Sequence, residues 1–462
     1  MELFGTAGIR GSVRERLTPE FALSVGRAVG AGVVEEASGD GASDRPATVV
    51  VGRDGRTTGE ALAAAVEAGV ESAGADVRRA GVLPTPALAY ASQGRYGVML
   101  TASHNPPTDN GIKVFVDGRE YDRDREAAVE ARVTDGVPSV AWNEWGSSET
   151  VSPLAGYRRA VVEYARGHGE SADGLDVVVD CGTGMGALGT PQVLRELGAR
   201  VVTLNGQVDG FFPGRASKPT PETLGDLRAF LSGSEFDLGI AHDGDADRIV
   251  VLDGAGEILH EDTVVAILAE HFVRVATASD PVVVTTPNAS GRIDERVAAA
   301  GGRVERVRLG ALHEGIAAAR ADGGDVVFAA EPWKHIHPDH GGWIDGAASA
   351  AVLTRLVAAA GLDGLRAPVT ERPYRKVSVE CPDDLKNEVM RRLESSLPAA
   401  CPDAEVDTEY GVRVGFPDGS WTLVRPSGTE PYVRVYAEAD DVDALIDEVT
   451  DVVADAVAAA GG

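Results

Sequence analysis

Three short segments of this 462-residue chain carry side chains that together could move a phosphoryl group. Thr101-Ala102-Ser103-His104-Asn105-Pro106 offers a hydroxyl, Asp243-Gly244-Asp245-Ala246-Asp247-Arg248 a divalent-metal site, and Arg425-Pro426-Ser427-Gly428-Thr429-Glu430-Pro431 a cradle for a phosphate dianion. A bare serine hydroxyl is a poor nucleophile and needs activation, and phosphoryl transfer at it needs a charge-neutralising cation. Asp243, Asp245 and Asp247 alternate, which lets three hard oxygens converge on one hard cation. An EF-hand needs Gly at position six and Glu at position twelve, where Arg248 and Gly254 stand, so magnesium fits better than calcium. The third segment joins a guanidinium, two hydroxyls and a run of backbone N–H groups around a glycine, the composition of an anion nest, and Arg434 adds a second cation.

The elements that must position these groups alternate between strand-like and helix-like runs, an α/β signature. Residues 47–52 and 96–100 read as strands, the second feeding the Ser103 loop, and residues 59–73 read as a helix. Asn105-Pro106-Pro107 restricts the backbone after Ser103. Apolar runs at 238–241 and 249–252 flank the aspartates as strands. A polar stretch over 145–153 marks a first boundary, a helix over 157–166 and a strand over 177–180 open a second unit, a third runs from about 257 to 365, and the pattern changes from 372 to a helix over 442–459. Cys181-Gly182-Thr183-Gly184-Met185-Gly186 suggests a dinucleotide fold, but no acidic residue ends the next strand, so it reads as a strand-to-helix turn.

Asp plus Glu total 72 against 43 Lys plus Arg, a formal net charge of −29, and only five of the cations are lysines. This excess repels phosphate backbones and anionic membranes, so neither nucleic acid nor membrane is expected as a partner. Acidity with lysine scarcity resembles proteins of extreme halophiles, in which salt screens the self-repulsion. No charge-free run of about 18 apolar residues is present to span a membrane. The start lacks the basic and apolar regions of a signal peptide, and three scattered cysteines read as free thiols, so a cytoplasmic location is expected.

Taken together, the three motifs resemble the α-D-phosphohexomutase family, along most of the chain. The resemblance implies an α/β fold of four domains around a central cleft: three similar domains with mixed sheets, over 1–150, 151–255 and 256–366, and a distinct C-terminal α+β domain over 367–462. It implies a mutase that interconverts hexose 1- and 6-phosphates of glucosamine, glucose or mannose through phospho-Ser103 and a bisphosphate intermediate. Mg2+, one per chain, would be held by Asp243, Asp245, Asp247 and the Ser103 phosphate; a hexose bisphosphate activator and a monomeric or homodimeric state stay open. Lys113, in Asn110-Gly111-Ile112-Lys113, and His335 are the implied general acid and base. Arg10, in Gly5-Thr6-Ala7-Gly8-Ile9-Arg10-Gly11, faces the phosphoserine, and Arg248 holds the phosphoryl group. Arg425, Ser427, Gly428, Thr429 and Arg434 grip the non-reacting phosphate. Gly52-Arg53-Asp54-Gly55-Arg56 resembles a neighbouring structural turn.

Two loops depart from the family pattern. Ala330-Glu331-Pro332-Trp333-Lys334-His335 stands where Gly-Glu-x-Ser-Gly-His is usual, and Leu309-Gly310-Ala311-Leu312 where Val-Gly-Asp-Lys is usual. Glu331 and His335 keep their places, and Trp333 would offer its indole face to the sugar. His335, His337 and His340 read as a mobile loop in preference to a metal cluster. A metal-dependent sugar phosphatase and a non-catalytic sugar-phosphate-binding paralogue are the alternatives these departures leave.

Overall fold

The computed structural model describes residues 3–5, 8–38, 45–427 and 430–461. The chain forms two compact units, one of Met1–Glu261 with Trp333–Leu365, the other of Asp262–Pro332 with Arg366–Gly462.

The first unit holds two mixed sheets. One runs in the order Ile9–Ser12, Asp109–Val116, Tyr96–Leu100, Thr48–Arg53, Asp76–Val82, Ser148–Thr150, with the short strand Arg119–Glu120 on Asp109–Val116. Its central strands are parallel, whereas Asp109–Val116 lies antiparallel to both neighbours. The valine-rich central runs are buried on both faces, as parallel strands covered by helices must be. Helices Pro19–Ser38 and Gly59–Ser72 pack backbone to backbone: a Cβ on Gly26 would lie 2.3 Å from the Val66 carbonyl oxygen, and one on Gly69 the same distance from that of Leu23. The other sheet runs Val250–Asp253, Leu238–Ala241, Asp176–Asp180, Arg200–Leu204. Helix Gly346–Ala360, capped by Asp345 accepting from the N–H groups of Ala347 and Ala348, belongs to this unit.

In the second unit, Pro281–Thr285 lies between the parallel strands Arg303–Arg306 and Asp325–Glu331. The C-terminal part is a five-stranded antiparallel sheet, ordered Tyr374–Glu380, Tyr432–Glu438, Trp421–Pro426, Val412–Gly415, Glu405–Asp407. Helices Lys386–Ala400 and Val442–Gly461 close its core. A buried ion pair, Arg292 Nη2 to Glu438 Oε1 at 2.8 Å, joins this part to the strand layer before it. The architecture is α/β, with several mixed or parallel sheets and a separate C-terminal antiparallel sheet, in agreement with the expected fold class.

Candidate active site

Strands Tyr96–Leu100 and Asp109–Val116 are antiparallel neighbours, and the Ser103 loop is their connection. Ser103 is fully buried with φ of 50°, a left-handed conformation uncommon for a side-chain-bearing residue. Its Oγ donates to Asp243 Oδ2 at 2.6 Å and lies 3.2 Å from His104 Nδ1. The loop is clamped from behind by Arg56, which donates to the carbonyl oxygens of Ser103, Asn105, Pro106 and Asp109 and to Asp54. Burial pushes the Asp54 carboxyl up to about 6, against the pull of Arg56. Gly52-Arg53-Asp54-Gly55-Arg56 is therefore more than a neighbouring turn: it holds the serine loop in place. Arg10 lies opposite Gly111 in the sheet, and its charge acts on His104 and Lys113.

The aspartate loop joins antiparallel strands Leu238–Ala241 and Val250–Asp253. Asp243, Asp245 and Asp247 are buried, and one oxygen of each lies within 4.8 Å of the others. Among the described residues this is the one set of three or more histidine, cysteine or acidic groups spaced to share a metal ion. Asp245 Oδ1 and Asp247 Oδ1 are buried and accept no hydrogen bond from the described residues, so the donor set fits a hard divalent cation. Lys113 Nζ donates to Asp247 Oδ2 at 2.8 Å and sits 3.6 Å from Asp245 Oδ2 and 3.5 Å from Glu120 Oε1. Burial opposes the Lys113 charge, but these carboxylates outweigh it and hold the ammonium above its ordinary range. Arg248 Nε lies 3.7 Å from Asp243 Oδ2 and 3.9 Å from Asp247 Oδ1. Burial and the charges of Asp247 and Asp245 push Asp243 up, while Lys113, Arg248 and Lys334 overcome burial and hold Asp247 down.

Sequence reasoning missed two supports of this loop. Thr85 donates from Oγ1 to Asp245 Oδ2 at 2.6 Å and from its N–H to the Asp245 carbonyl. Arg215, paired with Asp180, donates to the His242 carbonyl at 2.7 Å. Neither sits in a recognisable motif. Gly244 is required because a Cβ there would lie 2.5 Å from the Ser103 carbonyl oxygen.

Residues 330–335 run from the second unit into the first. Glu331 accepts a short hydrogen bond from the Gly310 N–H, which ties together the two loops that depart from the family pattern. Trp333 has φ of 67° and packs partly against the cluster of Leu224, Leu227 and Leu231, so part of its indole serves the core. Lys334 forms an antiparallel bridge with Arg248. His335 is buried with Nδ1 3.0 Å from Ser349 Oγ, and burial pushes its pKa down to about 3. His337 shares Ser349 Oγ at 2.8 Å, and His340 lies 3.6 Å from Asp345. These histidines are packed into the protein, contrary to the expectation of a mobile loop, because Ser349 and Tyr164 supply partners that local sequence cannot reveal.

In the C-terminal sheet, Arg425 and Arg434 are direct cross-strand partners. Arg425 donates to the Tyr436 hydroxyl at 2.8 Å, and Arg434 pairs with Glu430 at 2.5 Å. Ser427 Oγ is buried and makes no hydrogen bond to the described residues. Gly428 and Thr429 lie outside the described residues. Lys386, also missed, donates from Nζ to the carbonyl oxygens of Ser427 and Glu430, both at 2.6 Å, so it brackets the loop tip. Like charges placed directly across a sheet are unfavourable unless an anion offsets them, which is what a phosphate seat requires.

Comparison with known proteins matches three stretches to family descriptions. Residues 1–138 match phosphoglucomutase/phosphomannomutase alpha/beta/alpha domain I, residues 155–256 domain II, and residues 377–456 the C-terminal domain. A phosphopentomutase of Thermococcus kodakarensis is 41% identical over 446 residues, covering 95% of this chain and 94% of that protein. A probable phosphoglucosamine mutase of Methanopyrus kandleri is 42% identical, with 97% of each chain covered. A crystal structure of a phosphoglucomutase/phosphomannomutase family protein from Burkholderia thailandensis superposes with a TM-score of 0.85 at 27% identity, covering 100% of this chain and 98% of that one.

Proposed function

This chain belongs to the phosphoglucomutase/phosphomannomutase family of α-D-phosphohexomutases and is a phosphosugar mutase, an intramolecular phosphotransferase; from that premise we propose that it interconverts hexose 1- and 6-phosphates through phospho-Ser103. The observation that carries the proposal is Ser103 Oγ at 2.6 Å from Asp243 Oδ2, inside a buried cluster of three carboxylates and two cations.

Phospho-Ser103 gives its phosphoryl group to the free hydroxyl of the bound sugar phosphate. The resulting bisphosphate turns over and returns its other phosphate to Ser103. One Mg2+, held by Asp243, Asp245 and Asp247, supplies charge neutralisation at the transferring group when bound. Arg248 and Arg10 bind the phosphoryl oxygens. Lys113, held protonated by Asp247, carries the proton that this reading delivers to the departing oxygen. His335 is the proton acceptor in this reading; burial holds it neutral and weakly basic at rest, so the phosphate dianion at the centre has to raise its basicity for it to take the proton. Arg425, Ser427, Gly428, Thr429 and Arg434 hold the phosphate that is not reacting, and Glu331 and Trp333 discriminate the sugar. The absence of a membrane-length apolar helix among the described residues and three buried free thiols support a cytoplasmic setting.

A pentose 1-/5-phosphate pair is the second reading. It is favoured by the 41% identity to a protein named phosphopentomutase and by Trp333-Lys334 in place of a small Ser-Gly pair. An isomerisation assay on glucosamine, glucose, mannose and ribose phosphates, in low and molar salt, tests both. Isomerisation of a hexose phosphate without stoichiometric free phosphate supports the first reading. Turnover of ribose phosphates alone replaces it with the second, and stoichiometric phosphate release would mean a phosphatase.

A further inference from the structure

Lys334 stands in the loop read as sugar-selecting, yet its backbone is paired with the aspartate loop. It forms an antiparallel bridge with Arg248, and Ile249 N donates to the Trp333 carbonyl at 3.1 Å. Directly opposed residues in such a pair send their side chains to one face, with Cβ atoms about 5 Å apart. Arg248 identifies that face, since its Nε lies 3.7 Å from Asp243 and 3.9 Å from Asp247. Two cations placed side by side repel unless negative charge lies before them. Here the charges match: Asp243, Asp245, Asp247 and Glu120 against Lys113, Arg248, Lys334 and Arg10. A divalent cation and a phosphoryl dianion can then enter together with no net change. Trp333 supports the same conclusion. A bulky residue at φ of 67° is strained, and such strain persists where the surroundings impose the turn. Here the turn is imposed immediately before Lys334.

We propose that Lys334 is a phosphate-directed residue of the transfer centre, forming with Arg248 a two-cation seat for the phosphoryl group as it passes between Ser103 Oγ and a sugar hydroxyl. In that step the Ser103 Oγ–P bond breaks, a P–O bond to the sugar oxygen forms, and the hydroxyl proton passes, in net, to Ser103 Oγ. Lys334 keeps its own proton and contributes charge alone. The inference deepens the mutase reading and rests on it for the identity of the reaction. Within its own unit, Arg425 and Arg434 repeat the arrangement of two cations directly opposed across a strand pair.

The test has two arms. In the first, inorganic phosphate is titrated into dephosphorylated protein with Mg2+, in an Arg425→Ala background that silences the hairpin site. In the second, single-turnover transfer from phospho-Ser103 to the sugar phosphate is timed. Lys334→Gln is expected to weaken phosphate binding about 10-fold and slow transfer about 10–100-fold, with KM changing less than kcat. Lys334→Arg keeps the charge and should recover both to within about threefold of wild type. Wild-type binding and transfer in Lys334→Gln would overturn the proposal, as would a Lys334→Arg variant as impaired as Lys334→Gln. If the wild-type protein isomerised no sugar phosphate while Lys334→Gln still lost phosphate, the mutase reading would fall and the phosphate-directed role of Lys334 would stand.

Discussion

Arg56 Nη2 donates to the carbonyl oxygen of Ser103 at 2.9 Å, one of four loop carbonyls that this single buried guanidinium holds. The hydroxyl proposed to react is thus aimed by a fully buried residue. A lysine cannot reproduce a five-donor planar fork, so Arg56→Lys should lower kcat/KM about 100-fold, the scale of an ångström-sized misplacement. Arg56→Met leaves Asp54 buried and unpaired and should cost about 3–5 kcal/mol of stability by denaturant unfolding. Near-wild-type kinetics in Arg56→Lys would show that the loop aims itself.

Ser103→Ala removes the proposed phosphoryl carrier. Turnover should fall by about 10⁴-fold or more, and intact-mass analysis should lose a phosphorylated fraction that maps to Ser103 in the active protein. Full activity in this variant would sink the phosphoserine mechanism.

The motif residues were legible because their chemistry is local. A serine between a strand and a proline, or three alternating aspartates between apolar runs, carries its meaning within a few residues, and strands such as Tyr96–Leu100 fall where the apolar pattern puts them. What stayed hidden depends on long-range partners. Arg56 meets the serine loop about 50 positions away, Thr85 meets Asp245 across 160, and Lys386 meets Ser427 across 41. Histidine spacing was misleading for the same reason, since the burial of His335 and His337 depends on Ser349 on a following helix.

Arg425→Ala should act on binding more than on chemistry. Losing a charge-assisted contact of about 1.5–3 kcal/mol raises KM by about 10–100-fold, with kcat changed far less. Steady-state kinetics on the preferred sugar phosphate would reveal this split; an equal fall in kcat at unchanged KM would place Arg425 with the transferring phosphate.

Burial lowers the pKa of His335 to about 3 and of His242 to about 4, below the ordinary 6.5. The unfolded chain therefore takes up these protons first, and their contribution to stability, complete above about pH 6.5, is lost as pH falls toward about 4 for His242 and about 3 for His335. Asp54, raised to about 6, works the opposite way between 3.8 and 6, so the total slope is composite. The difference between proteins isolates the imidazole: Tm of His335→Gln should fall less than wild type between pH 7 and 4.5. Identical slopes would mean that His335 is protonated in the fold.

With a net charge of −29, the folded chain repels itself. The Debye length drops from about 10 Å at 0.1 M salt to about 3 Å at 1 M. Exposed ion pairs such as Arg391–Glu388 are also screened, but such surface pairs contribute little to stability. Tm should therefore rise between these conditions, and a Tm that stays level or drops would remove the support for halophilic adaptation.

The division of the chain has a consequence for its synthesis. The first unit takes residues Trp333–Leu365 after the chain has already left it at Glu261. A ribosome adding about 5–20 residues per second therefore emits the 71 residues from Asp262 to Pro332 before the segment carrying Lys334, His335 and helix Gly346–Ala360 appears. The nascent chain would hold Ser103 and all three aspartates for several seconds without the cation opposite Arg248. An interrupted translation product ending in that interval would carry the Ser103 and aspartate loops and still lack Lys334, His335 and the helix that complete their unit.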